Sequence, residues 1–363
     1  MKVNSLADQL LPKRFQDELE RIFDHHNGFR ADAVKSVASI QTQRDRRQVI
    51  RLSFAQLREM GYRLQHPKAL GEGHVKALTE RWQKEGLVAN TLHTRIANLS
   101  AFATWIGKPG MVKRPCDYFP EAVVRRTSIA QENRAWAAHG VDPEAVIASA
   151  LAIDEYLALH LALDHQFGFR VKESLEFRPA DALMEGGAAI LVYSGTKGGR
   201  PRIVPFETPE QRATFEWALR VAARRRDGRI RWPGLTYRQA RRRFYYLLTE
   251  KMGVNKAAMG VTAHGLRAGC AQRKYRRHTG LPTPIEGGAL GKIDYATHQA
   301  ANMFVSRAMG HGRTEITATY YGSYGHALRS TKKAMTAAET IVTTDAKDTV
   351  SATDTEATKD EEK

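Results

Sequence analysis

Cysteine is nearly missing from this chain, acid is scarce against base, and no long apolar run occurs. Among 363 residues only Cys116 and Cys270 are thiols, too few for a disulfide framework or a cysteine-rich zinc site. Both read as packing residues in a reducing, cytoplasmic setting. No uncharged apolar stretch approaches the roughly 20 residues of a membrane span. The first twenty positions mix Asp8, Lys13, Arg14 and Asp17 with apolar residues, so neither secretion nor membrane insertion is expected. His-Glu-x-x-His, Cys-x-x-Cys and the phosphate-binding Gly-x4-Gly-Lys-Ser/Thr are absent; the nearest approach, Gly291-Lys292, is followed by Ile293 where a hydroxyl is required. His25, His26, His139, His160, His165 and His298 show no metal-ligand spacing. No metal or other cofactor is expected.

What is abundant is positive charge. Lys and Arg number 56 against 39 Asp and Glu, a net of +17, which points to a polyanionic partner. A hydrophobic content of 42% and a charged content of 26% are those of folded domains and exclude a wholly disordered basic condenser. Residues 341–363 carry seven acids, three lysines and no aromatic residue. They read as an acidic disordered tail of net −4, leaving +21 for the rest. Between Arg220 and Arg243 stand ten arginines and one acid, Asp227, with Trp232, Tyr237, Phe244, Tyr245 and Tyr246 interleaved. This is either a nucleic-acid surface, with Arg241, Arg242 and Arg243 as contacts, or a solvated helix face. A second basic cluster runs from Arg273 to Arg277, in which Arg273 and Lys274 are expected as DNA contacts.

The length suits two domains. Ile50, Phe54, Leu57 and Met60, then Leu92, Ile96, Leu99, Phe102 and Ile106, recur at helical spacing. A helical domain over 41–135 is predicted, preceded by an arm over 1–40 that is itself helical around Phe15 to Phe23. A larger domain over 140–340 opens with one apolar helix from Pro143 to about Asp164. Two β-prone runs follow, 188–193 and 201–206, joined by a Gly-rich turn holding Lys197, and helices return from Pro209.

Three pieces of this larger domain carry residues suited to phosphate chemistry. They are Arg170 in Gly168-Phe-Arg-Val-Lys-Glu173, His264 and Arg267 in His-Gly-Leu-Arg, and His311 in Met-Gly-His with Tyr320 nine residues on. Each is weak alone. In this order, with Lys197 between the first two and Arg202-Ile203-Val204-Pro205 after it, they closely resemble the tyrosine recombinase (phage integrase) family. Phe169 and Met309 stand where Leu is usual. The resemblance spans about residues 145–325, with the helix around 91–106 similar to the family's N-terminal core-binding domain.

The resemblance implies a mainly α fold with a small antiparallel β-sheet: a helical core-binding (SAM-like) domain plus an α-rich catalytic domain. It implies site-specific cutting and rejoining of double-stranded DNA through a 3′-phosphotyrosyl intermediate at Tyr320, without ATP or metal, in the setting of integrating or excising a mobile element. A homotetramer on two DNA sites, DNA-bending accessory proteins and a nucleoid-associated location belong to the same expectation. Residues 327–341 are the segment expected to exchange between neighbours.

The chemistry accounts for the residue types. An anionic phosphodiester repels nucleophiles, so Arg170 and Arg267 would bind its non-bridging oxygens bidentately and stabilise the transition-state charge. A tyrosine phenol titrates near 10 and needs a proton acceptor; the family implies His264 for this task, with His311 hydrogen-bonding the same phosphate. The departing 5′ oxygen needs a proton, which the family assigns to the hairpin lysine, Lys197. Glu173 would orient His264 or an arginine. Tyr321 is the rival nucleophile by adjacency, but the nine-residue spacing favours Tyr320. Forty-four positions separate Arg267 from His311, longer than is usual in the family, with a Pro/Gly-rich insert around 280–291 that either contacts DNA or a neighbour or is a surface excursion. A rival of another class is a catalytically inactive architectural or regulatory DNA-binding protein of this fold; a closer one is a dimer or telomere resolvase.

Overall fold

The computed structural model describes residues 9–30, 33–288, 292–311 and 313–325. The expected exchanged segment and the acidic tail lie outside them. Two compact units divide the chain, 1–127 and 128–363.

The first unit is helical, with α1 (Lys13–His26), α2 (Ile40–Glu59), α3 (Glu72–Lys84) and α4 (Ala89–Trp105), and a short antiparallel pair β1 (Phe29–Arg30) and β2 (Ala33–Val37). Ser39 caps α2 by accepting the Thr42 N–H, satisfying one donor that the helix cannot. The periodic residues meet in one core: Ile50, Phe54, Leu57, Leu92, Ile96, Leu99 and Phe102 are buried. Phe54 lies edge-on to Phe15 at 5.0 Å and to Phe102 at 5.5 Å, so truncating it to alanine should cost about 3–5 kcal/mol. The arm expected over 1–40 is corrected here. Phe15, Leu19 and Phe23 of α1 fill the core of this unit because their stripe recurs every three to four residues.

The second unit holds α5 (Pro143–Ile153), α6 (Glu155–Phe167), α7 (Val171–Glu176), the antiparallel pair β3 (Ala189–Val192) and β4 (Arg202–Pro205), α8 (Pro209–Ala223), α9 (Tyr237–Tyr245), α10 (Ala263–Thr279), α11 (Tyr295–Ala308) and the single turn α12 (Ala318–Tyr321). The fold is thus mainly α with small antiparallel sheets. One long helix from Pro143 is corrected to two. Asp154 is extended (φ −161°), and its carboxylate caps α6 at the Leu157 N–H while accepting from Trp232 Nε1. A side chain bound both to the next helix and to a distant indole breaks the helix where sequence periodicity continues.

The domain border moves as well. Within 128–135, expected in the first domain, the Ala130 N–H donates to the Ala318 carbonyl at 2.8 Å and Gln272 donates to Asn133 Oδ1 at 2.8 Å; this segment belongs to the second unit. Cys270 is buried but Cys116 is exposed, so only the former is a packing residue. In the described part of the insert, Glu286 accepts from the Thr283 N–H and pairs with Arg276. Among the described residues no helix is long and apolar enough to cross a membrane.

Candidate active site

Helix α6 ends at Gly168, whose left-handed φ of +63° turns the chain out of the helix. A Cβ there would lie 2.8 Å from Met309 Cε, so glycine is required both by conformation and by close packing. The next residues, Phe169 and Arg170, lead into α7, and the Arg170 N–H is capped by Glu173 Oε2 at 2.9 Å. Arg170 Nη1 also reaches Glu173 Oε1 at 2.5 Å.

Glu173 is the centre of a buried charge cluster. Arg202 Nη1 lies 2.7 Å from its Oε1, and Arg267 Nη1 lies 3.8 Å from its Oε2. Burial alone would raise this carboxyl, but Arg202, Arg267 and Arg170 outweigh it and hold its pKa at about 2. Glu173 therefore stays ionised, with Arg170, Arg202 and Arg267 arranged around it; His264 is not among the partners that shift it. Sequence reasoning placed Arg202 only as part of a hairpin strand. It alternates inward with Val204, and an arginine at an inward strand position signals a buried anion.

Arg267 is fully buried on α10. Its Nη1 donates to the Gly168 carbonyl and its Nη2 to the Met309 carbonyl. Its Nε donates to Tyr320 Oη at 2.9 Å. His311 Nε2 lies 2.9 Å from the same hydroxyl. Between Met309 and His311, Gly310 has φ +70°, and a Cβ there would meet Arg202 Cδ at 2.9 Å. The buried arginine on β4 thus backs the turn that delivers His311. The His264 ring stands 5.9 Å from the Tyr320 ring, centroid to centroid. It reaches the surface, yet the protein mass around it, then the Arg267, Arg170 and Arg134 guanidiniums, lower its pKa to about 4. His264 is a neutral imidazole at pH 7, able to take a proton.

One site therefore collects Arg170, Glu173, His264, Arg267, His311 and Tyr320. The backbone of Lys197 opens a single turn, Lys197–Gly199, on the β3–β4 connection. Tyr320 is 5% exposed and engaged, whereas Tyr321 is fully buried and burial pushes its phenol well up. Beside the site lies a cavity of about 210 Å³ lined by Asp164, Arg170, Lys172, Arg241, Tyr245 and His264. Asp164, missed from sequence, is buried, and burial followed by the Glu173 charge raises its pKa and favours the neutral acid.

The two basic clusters fare differently. Arg241 and Arg242 are exposed on α9, while Arg243, also exposed, pairs with Asp154 at 2.9 Å. In the second cluster Lys274 is corrected as a DNA contact: it is 1% exposed and paired with Glu207. Arg273 is half-buried and donates to the His165 carbonyl at 2.5 Å. Lys274 follows Arg267 by seven residues, two helical turns, and so shares its buried face.

Two family models match the chain. One described as phage integrase, N-terminal, covers residues 29–112, and one described as integrase covers 124–273; His311 and Tyr320 follow the matched stretch. No curated protein matches in sequence. Among solved structures, a lambda integrase dimer bound to a COC' core site superposes with a TM-score of 0.53 at 14% identity, over 84% of this chain and 76% of that one. A lambda integrase tetramer bound to a Holliday junction gives 0.52 at 15%, over 85% and 78%. The Tn1549 transposon integrase in complex with transposon right end DNA gives 0.50 at 15%, over 87% and 98%. At these identities the likeness is one of fold. An integrase N-terminal domain followed by an integrase catalytic domain is the class these matches define. The chain belongs to the tyrosine recombinase (phage integrase) family.

Proposed function

We propose that this protein cuts and rejoins double-stranded DNA at specific sites through a covalent 3′-phosphotyrosine on Tyr320, serving the integration or excision of a mobile element. The observation that carries the reading is the position of Tyr320 Oη, held at 2.9 Å by both Arg267 Nε and His311 Nε2. A phosphodiester seated there meets a nucleophile already in hydrogen-bond contact with one of its charge-stabilising arginines.

Arg170 and Arg267 take the non-bridging oxygens. Neutral His264 takes the phenolic proton as Tyr320 Oη bonds to phosphorus, and His311 donates to the phosphate. The bond to the 5′ oxygen breaks as Lys197 protonates that oxygen, leaving a free 5′ hydroxyl. The reverse step, with a 5′ hydroxyl of another strand as attacker, rejoins the DNA and frees Tyr320. Arg241 and Arg242 bind flanking phosphates, and a homotetramer acts on two DNA sites.

The test is a nicked suicide duplex, drawn from DNA flanking the coding region and from a randomised pool. Wild type is expected to give an adduct stable to denaturation, and Tyr320→Phe none. No adduct with either protein sinks the catalytic reading in favour of a DNA-binding protein of the same fold.

A further inference from the structure

Beside Tyr320 stands a second tyrosine that takes no part in the proposed chemistry. Tyr321 Oη donates to Asn302 Oδ1 at 2.8 Å, Asn302 Nδ2 lies 2.9 Å from His298 Nε2, and His298 Nδ1 lies 2.8 Å from Tyr275 Oη. The chain of four buried side chains runs from α12 through α11 to α10, closed by the Tyr275 and Tyr321 rings at 5.0 Å. Four polar groups in a core are costly unless paired, and here each has its partner.

Helix α12 cannot hold its own shape. It has four residues, far below the length at which a helix is stable alone. Its backbone is pinned at the Ala318 carbonyl by the Ala130 N–H at 2.8 Å and at the Tyr320 carbonyl by Gln272 Nε2 at 3.2 Å. Neither bond grips a side chain of the turn. Successive helical side chains point about 100° apart, so seating Tyr321 in the Asn302 network would fix the rotation of the turn on which Tyr320 meets Arg267 and His311.

We propose that Asn302 is a positioning residue which, by holding the Tyr321 hydroxyl, places Tyr320 Oη at the reacting phosphate. The proposal rests on Tyr320 being the nucleophile, and it divides the adjacent tyrosines into one that reacts and one that anchors.

Two variants test it: Asn302→Leu, of similar size without polar atoms, and Tyr321→Phe, which deletes one oxygen and keeps the fold should the first variant fail to fold. Two readouts are needed. In DNA-free protein, nitration of Tyr320 by tetranitromethane, followed by peptide mapping, should be slow in wild type because Tyr320 is 5% exposed, and at least about tenfold faster in either variant. On saturating nicked duplex, single-turnover adduct formation should fall about a hundredfold, the cost of a misplacement near 1 Å, with unchanged DNA affinity. A substrate with sulfur at the bridging 5′ position, whose leaving thiolate needs no proton, should not restore the rate, since the defect lies in the nucleophile and not in the general acid. Tyr320 nitration equal to wild type in a folded variant overturns the role of Asn302, as does rescue by sulfur. Absence of any wild-type adduct overturns the nucleophile reading instead, while nitration still decides whether Asn302 holds the turn.

Discussion

Around Glu173 three guanidiniums converge on one buried carboxylate, whereas along residues 220–243 ten arginines lie at or near the surface and several draw their counter-charges from distant helices. In the buried cluster each arginine has a fixed geometry, and one acid against three bases leaves positive charge over, with Asp164 held toward its neutral form. An incoming anion would complement such an excess. In the surface stretch Arg224 is paired with Glu155, Arg225 with Asp227, Arg231 with Glu176 and Arg243 with Asp154. Bulk positive charge and placed positive charge are different devices made from one residue type.

The sharpest way to separate them is to keep charge and remove geometry. Arg267→Lys leaves one positive group but cannot reach Tyr320 Oη, the Gly168 carbonyl and the Met309 carbonyl together. Adduct formation should fall by at least about 10³-fold, while DNA affinity by filter binding should hold, since the bulk phosphate contacts are proposed to be the surface arginines. A wild-type cleavage rate in this variant would show that charge alone suffices.

Removing the anion of the cluster should act on stability. Glu173→Gln strands Arg170, Arg202 and Arg267 beside a neutral amide and should cost about 3–5 kcal/mol in urea unfolding. The pH dependence follows the same group. Its folded pKa of about 2 lies below the ordinary 4.5, so its contribution is complete above about pH 4.5 and is lost as pH falls toward 2. His264, lowered from 6.5 to about 4, pushes the same way: the unfolded chain binds its proton first, so stability declines as pH drops from about 6.5 to 4. Glu173→Gln should flatten the acid limb below about pH 4.5 and leave the upper part unchanged.

Most residues of the candidate site were legible in the sequence because their spacing is short and chemically constrained, as with His264 and Arg267 one helical turn apart or His311 and Tyr320 nine positions apart. The helical faces of the first unit were legible for a related reason, since periodicity reports burial directly. What was hidden depends on partners far along the chain. The acids that neutralise Arg224, Arg231 and Arg243 stand 69, 55 and 89 positions away, so a run with one acid in sequence is much less bare in space. Asp154 likewise broke a helix for the sake of Trp232, 78 positions on. Lys274 is the instructive miss: its charge suggested a surface, but its place seven residues after Arg267 put it on the buried face of α10, against Glu207.

The smallest expected effects concern the surface arginines, and they rank by how committed each side chain already is. Removing one phosphate-binding side chain should reduce the slope of log affinity against log salt by about 0.9. The pair Arg241→Gln and Arg242→Gln should therefore flatten it by up to about 1.8, because both side chains are exposed and Arg241 lines the cavity beside Arg170 and His264. Arg243→Gln should flatten it less, since that guanidinium already pairs with Asp154. Lys274→Met should not flatten it at all, because a side chain 1% exposed cannot release a counterion from DNA. A salt titration of the folded variants on one duplex measures all three. Equal slopes for every variant would place the DNA on another face and leave the arginine-rich helix a solvated one.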